Sequence, residues 1–186
     1  MHPLNLSFER DENHLDAVIR LVIGKYDNIK FPVVFKQEYG KKLQDILDTG
    51  TASLYLISDK MKQVFEANNL TGWKTFAVKV FSKQGQEIEG YHGLSILGRC
   101  GARNESKSEV IMKQFVPNGP FVKYFKGLHI GLDKWDGSDF FLEDKTTIAI
   151  VTRKVADILK KHKFTNIRLV NLADYEVQDF GLQNEI

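Results

Sequence analysis

One pattern constrains this chain more than any other: a strand, capped helix and strand are written into it twice in the same register. The first copy opens with the apolar run Leu54-Tyr55-Leu56-Ile57. Ser58 follows, then a helical segment with Met61, Val64 and Phe65 on one face, then a strand containing Phe76, Val78 and Val80. The second opens with Ile148-Ala149-Ile150-Val151. Thr152 follows, then a helical segment with Val155, Ile158 and Leu159 on one face, then a strand from Ile167 to Leu172. Ser58 and Thr152, Met61 and Val155, Val64 and Ile158, Phe65 and Leu159, and Leu70 and Phe164 all stand 94 positions apart. Apolar residues three and four apart form one helical stripe. A hydroxyl residue just before that stripe accepts a backbone N–H that the first turn leaves unbonded. Two β-α-β segments can share such spacing by chance, but the constant offset favours a structural repeat.

Between the copies the pattern is β-rich. Phe76 to Phe81 and Ile88 to Leu97 flank Lys83-Gln84-Gly85-Gln86, a hairpin turn by composition. Val110 to Val116 is a strand ended by Pro117-Asn118-Gly119-Pro120, Phe121 to Leu132 alternates loosely, and Trp135 to Asp139 is a turn before Phe140 to Leu142. In the first fifty residues Leu4 to Phe8 alternates like a strand. Leu15 to Ile23 suits strand or helix, and Phe31 to Phe35 carries Pro32 at an edge or a strand start. Lys41 to Leu47 places Leu43, Ile46 and Leu47 on one helical face, with Gly50 as its stop. Ala173 to Ile186 is acidic and weakly patterned, a tail or short edge element. The expected class is α+β: a mixed or antiparallel sheet with two similar strand–helix–strand units, about 54–80 and 148–172, around a β-rich middle. At 186 residues one domain over 1–186 is expected. A subregion over 1–50 is possible within it, with the two pseudo-repeated units inside 50–175.

Charge narrows the function. The chain has 26 basic and 24 acidic residues, and the basic ones are dispersed, so a phosphate-tracking face is not indicated and nucleic acid is not the expected partner. The densest basic group, Lys160 to Lys163, ends a predicted helix, where cations suit the helix dipole. One cysteine, Cys100, permits no internal disulfide. The N-terminus lacks a signal-peptide pattern, and no apolar run reaches membrane-spanning length. A cytoplasmic protein without a membrane partner is the expectation.

Motifs for chemistry are sparse. Neither Gly-x-x-x-x-Gly-Lys-Ser/Thr nor Gly-x-Gly-x-x-Gly occurs, so a phosphate-cradling loop is not indicated. The histidines His2, His14, His92, His129 and His162 form no metal-ligand spacing. The oxygen-rich stretch Asp133, Asp136, Gly137, Asp139, Glu143 and Asp144 lacks the order of a calcium loop and reads as an Asp- and Ser-stabilised turn, a cation site being the alternative. A nucleophile hypothesis pairs Cys100 with His92 or His129, Arg99 lowering the thiol pKa; an incidental cysteine is the simpler reading. Phe115, Phe121, Tyr124 and Phe125 beside Lys113, Lys123 and Lys126 could stack nucleic-acid bases, but a strand pair with a core face and a solvated face is preferred. No catalytic, cofactor or metal residues are therefore assigned.

The order of these pieces resembles the immunity proteins of bacterial polymorphic-toxin systems. The matching features are Leu54 to Ser58 opening a helix, the hairpin Phe76 to Leu97 with Tyr91, the turn Asp136-Gly137-Ser138-Asp139-Phe140-Phe141, the strand and capped helix Ile148 to His162, and Phe164 to Leu169. The resemblance spans about residues 40 to 175. It implies a non-enzymatic inhibitor that binds and neutralises a cognate protein toxin. The alternatives are a Cys100-based, hydrolase-like enzyme and a nucleic-acid-binding module. On a predicted loop, Trp135 flanked by Asp136 and Asp139 is the expected contact with a basic partner cleft. Trp73 is expected in the core.

Overall fold

The computed structural model describes residues 4–8, 14–144 and 146–179. His2, residues 9–13 of the N-terminal reading, and 180–186 of the closing segment lie outside them. Among the described residues are thirteen strands and three α-helices, in an α+β arrangement.

The first half contains β1 (Asn5–Phe8), α1 (His14–Ile23), β2 (Val33–Tyr39), β3 (Ile46–Asp48), β4 (Tyr55–Ser58), α2 (Asp59–Ala67), β5 (Trp73–Phe76), β6 (Val78–Phe81) and β7 (Tyr91–Ile96). Its strands form one mixed seven-stranded sheet in the order β5-β7-β4-β3-β1-β2-β6. Only Ala77 separates β5 from β6 in sequence, yet they occupy opposite edges, so the sheet curls until it nearly closes. The strand expected over Phe76 to Val80 is therefore two strands. Alternation marks extended backbone but does not name its partner: β5 pairs with β7, β6 pairs in parallel with β2, and the Ala77 carbonyl accepts from Val33 N at 3.0 Å.

Two more expectations in this half are corrected or sharpened. Lys41 to Leu47 is not a helix. Ile46 and Leu47 lie in β3, with Leu47 opposite Leu56 of β4, while Leu43 is exposed. Burial in the sheet overrides a short helical spacing, and Gly50 at φ 64° serves the turn into β4. Leu15 to Ile23 is helical, and Val18, Leu21 and Val22 face the core. The turn over Lys83 to Gln86 forms, with Gly85 N bonded to Ser82 O at 3.0 Å. Its arms share only the Phe81–Glu87 bridge before β7 leaves to lie between β4 and β5. Gly93 of β7 is required there: a Cβ would sit 2.0 Å from the Phe76 ring.

The second half contains β8 (Gly98–Cys100), β9 (Glu109–Gln114), β10 (Phe121–Lys126), β11 (Phe140–Glu143), β12 (Ala149–Val151), α3 (Arg153–Lys161) and β13 (Glu176–Gln178). They form two three-stranded sheets, β12-β11-β8 and β13-β10-β9. The offset of 94 is structural. Both ends of α2 map onto both ends of α3. Ile46–Ile57, Leu47–Leu56 and Asp48–Tyr55 of β3 and β4 map onto Phe140–Val151, Phe141–Ile150 and Leu142–Ala149 of β11 and β12. The parallel neighbours match as well, Asn5–Asp48 onto Arg99–Leu142. One piece is missing: Ile167 to Leu172 is not a strand. Strands exist by pairing, and among the described residues nothing pairs with this segment as β7 pairs with β5.

Both units feed one core. Met61 and Phe65 of α2, and Val155 and Leu159 of α3, join Leu6, Phe35, Leu56 and Phe140. Trp73 is half-buried against Phe65, its indole N–H donating to Leu70 O at 2.9 Å, close to the expected core role. No helix among the described residues is long and apolar enough to cross a membrane.

Candidate functional site

The turn between the 3-10 segment Leu132–Lys134 and β11 presents the expected contact residues in two different ways. Trp135 is 38% exposed. Its ring lies 5.6 Å from the Phe141 ring, centroid to centroid and tilted by 47°, and its indole N–H donates to Ser138 O at 3.1 Å. Asp136 is exposed and caps the turn, accepting from Ser138 N at 3.0 Å and Arg99 N at 2.9 Å. Burial would raise its pKa, but the bonds from Ser138 and Arg99 and the Arg99 charge together hold it below the usual carboxylate range. Asp136 is thus anionic at neutral pH beside a rigid aromatic. Asp139 faces inward at 9% exposure.

Asp139 is the hub of a clasp. Its carboxylate accepts from Thr71 N at 3.0 Å, Thr71 Oγ1 at 3.3 Å, Thr152 Oγ1 at 3.1 Å and Lys154 Nζ at 3.2 Å, while its own N–H donates to Thr71 Oγ1 at 3.0 Å. Ninety-four positions earlier, Asp45 repeats the scheme. It accepts from Thr165 N at 2.8 Å, Thr165 Oγ1 at 2.9 Å and Ser58 Oγ at 3.2 Å, and its N–H donates to Thr165 Oγ1 at 2.8 Å. Each unit's aspartate grips the threonine after the other unit's helix. The clasps lower both carboxyl pKa values. Burial opposes this in each case and is outweighed, for Asp139 by Thr71, Lys154 and Thr152, for Asp45 by Thr165, Lys60 and Ser58. Sequence reading missed the clasps, although Asp45 and Asp139, and Thr71 and Thr165, keep the offset already visible in the helices. It also assigned Thr152 as a helix cap. Ser58 does cap α2, accepting from Met61 N at 3.3 Å, but the Thr152 hydroxyl makes no capping bond and is given to Asp139.

The oxygen-rich stretch behaves as a turn: Asp136 and Asp139 spend their oxygens on amides, hydroxyls and Lys154. Among the described residues no three His, Cys, Asp or Glu side chains stand where they could hold one metal ion. Cys100 is 2% exposed in a small cluster with Leu128, Phe141 and Ile150. Burial first, then the charges of Glu143, Asp144 and Asp136, push its thiol pKa up. The expected lowering by Arg99 does not occur: burial and then the neighbouring acids raise the thiol, and the Arg99 guanidinium is turned to the carbonyls of Ile96 and Gly98, at 2.9 and 2.7 Å. His92 is engaged with Asp59 at 2.6 Å.

A second surface feature is the hairpin of β9 and β10. The expected strand pair forms, but its expected core face is not covered. Val110, Met112 and Phe121 share one face of the pair and are exposed, Phe121 to 64%, while Phe115, 65% exposed, packs on Tyr124 at 5.9 Å on the other face. Two of its three lysines are engaged: Lys113 with Glu176, and Lys123 with Asp179 at 3.0 Å and over the Phe125 ring at 4.7 Å. Paired cations draw phosphate weakly, and exposed apolar patches are found where proteins meet other proteins, membranes or ligands.

No curated protein sequence matches the chain. A sequence model of the Immunity protein family (Imm11) matches residues 7–174, a span that takes in both units, both clasps, the Trp135 turn and the hairpin. The chain belongs to the Immunity protein family (Imm11).

Proposed function

We propose that this protein binds a cognate bacterial toxin in the cytoplasm and neutralises it without catalysis, by covering the toxin's active site or the approach to it. Family membership over residues 7–174 carries this reading. The surface supports it. The exposed apolar hairpin supplies anchors of the kind that dominate interface energetics, and Trp135 with Asp136 supplies an aromatic and an anion on a stiff turn. Asp139 contributes by fastening that turn to Thr71, Thr152 and Lys154 rather than by touching the partner. A preformed face lowers the ordering cost of association, which is what tight inhibition requires.

The test is co-expression with the toxin encoded beside this gene. Wild type restores growth. Cys100→Ala does so equally, and Trp135→Ala combined with Asp136→Lys weakens protection while the thermal transition is retained. Failure of wild type to protect refutes the reading. Loss of protection in a folded Cys100→Ala variant moves the chemistry to that thiol.

A further inference from the structure

The two units differ at one place, and the first shows what the second lacks. In the first, β7 lies between β4 and β5, antiparallel to both, so that Tyr55, Leu94 and Thr75 stand in one row and Leu56, Gly93 and Phe76 in the next. Shifted by 94, the flanking positions are Ala149 with Leu169 and Ile150 with Val170. Between those two segments runs a groove of about 400 Å³, bordered by 148–153 on one side and 168–172 on the other. No strand among the described residues lies in it. Leu169 and Val170 are exposed along its wall.

The groove edge is ready to pair. Thr152 N donates to Asp139 O at 2.9 Å, on the β11 side. Because antiparallel pairing alternates along a strand, the N–H and C=O of Val151 and Ala149 point the other way, into the groove. The equivalent residues Ile57 and Tyr55 of β4 stand opposite His92 and Leu94 of β7. The groove is also polarised. Arg153, Lys160 and Arg168 line it, and no Asp or Glu does. Arg153 is bonded to Asp157 at 3.1 Å, whereas Lys160 and Arg168 are in no ion pair among the described residues.

We propose that this groove receives an extended, acidic segment of the partner protein as an added strand antiparallel to β12, in the place that β7 fills in the first unit. Main-chain bonds to Ala149 and Val151 supply affinity, and the cationic rim selects Asp and Glu side chains. The inference rests on the reading that the partner is a protein toxin, and it names the contact.

The probe is a blocked seven-residue peptide of alternating Glu and Val, with a Lys and Val peptide as control, added to the full chain. The expected result is slowed hydrogen exchange at the Ala149 and Val151 amides, and binding about tenfold tighter for the Glu peptide at low salt, a gap that closes as salt rises. Ala149→Pro, which removes one groove-facing N–H, abolishes the protection at Val151. Arg168→Glu, on the opposite wall, reverses the peptide preference without touching β12. Protection elsewhere, equal affinity for both peptides, or groove protection that grows with protein concentration alone (a second copy as occupant) overturns the proposal. In the co-expression assay, full rescue by both variants sinks the added strand and leaves toxin neutralisation standing. Failure of wild type to rescue, with the peptide result intact, does the reverse.

Discussion

Asp45 and Asp139 hold equivalent bonds in equivalent units, yet their settings differ. Asp139 is buried, its fourth bond comes from Lys154, and Thr152 gives it an undivided hydroxyl. Asp45 is half-exposed. Its matching Lys60 leans over the Phe164 ring at 5.0 Å instead, and Ser58 divides its oxygen between the aspartate and the cap of α2. Around the helices the contrast widens. Phe65 sits between Trp73 at 5.2 Å and Phe140 at 4.9 Å, while Leu159, its counterpart, lies in a unit with no strand equivalent to β7 among the described residues. Two units in one register thus differ at one edge: among the described residues the first is closed and packed, the second open along β12.

The comparison can be broken by matched substitutions. Phe65→Ala should destabilise by about 3–5 kcal/mol and Leu159→Ala by about 2–4 kcal/mol, read from urea midpoints at constant slope. Equal losses would mean the second unit is as tightly packed as the first. Next in size, Asp139→Ala should cost about 2–3 kcal/mol and Asp45→Ala about 1–2 kcal/mol, because the more buried clasp leaves more polar groups unpaired. A larger loss at Asp45 would invert the assignment of which clasp bears the fold.

Acid should sharpen the same contrast. Both carboxyls titrate lower in the folded chain than in the unfolded one. Their stabilisation is therefore complete above the ordinary aspartate value of about 4 and is lost as pH falls through the lowered folded values. The Asp45→Asn, Asp139→Asn double variant should show a flatter loss of thermal midpoint below about pH 4 than wild type does. An unchanged slope would remove the clasps from the acid response. The smallest effect is at the caps: Ser58→Ala should cost about 1 kcal/mol through the end of α2. Thr152→Ala should instead weaken the Asp139 clasp and leave the helicity of α3 unaltered by circular dichroism.

What sequence revealed and what it hid divide along physical lines. The helix faces Met61, Val64, Phe65 and Val155, Ile158, Leu159 were legible because helical periodicity is local and the core they enter rewards it. The break at Ala77 was not, since an alternating run looks the same whether it continues or changes partner. Leu43 to Leu47 misled because three apolar residues fit either period and only the pairing with β4 decides. The clasps join residues 68 and 120 positions apart, a separation at which residue type alone does not name a partner. Trp135 and Asp136 were correctly placed on a turn, whereas the uncovered face of the β9–β10 hairpin could not be told from a core face by alternation.

The reciprocal clasps also set an order of assembly. While the chain is emerging from the ribosome, Asp45 and the finished helix α2 must wait for Thr165, which follows α3, before their bonds can close. The N-terminal unit is therefore sealed late, by sequence that is translated long after its own core residues, and long-range closure of this kind is slow. A nascent chain arrested before that threonine carries an open carboxylate and an unfinished fold, so any surface that depends on the closed clasp forms only after Thr165 has been added.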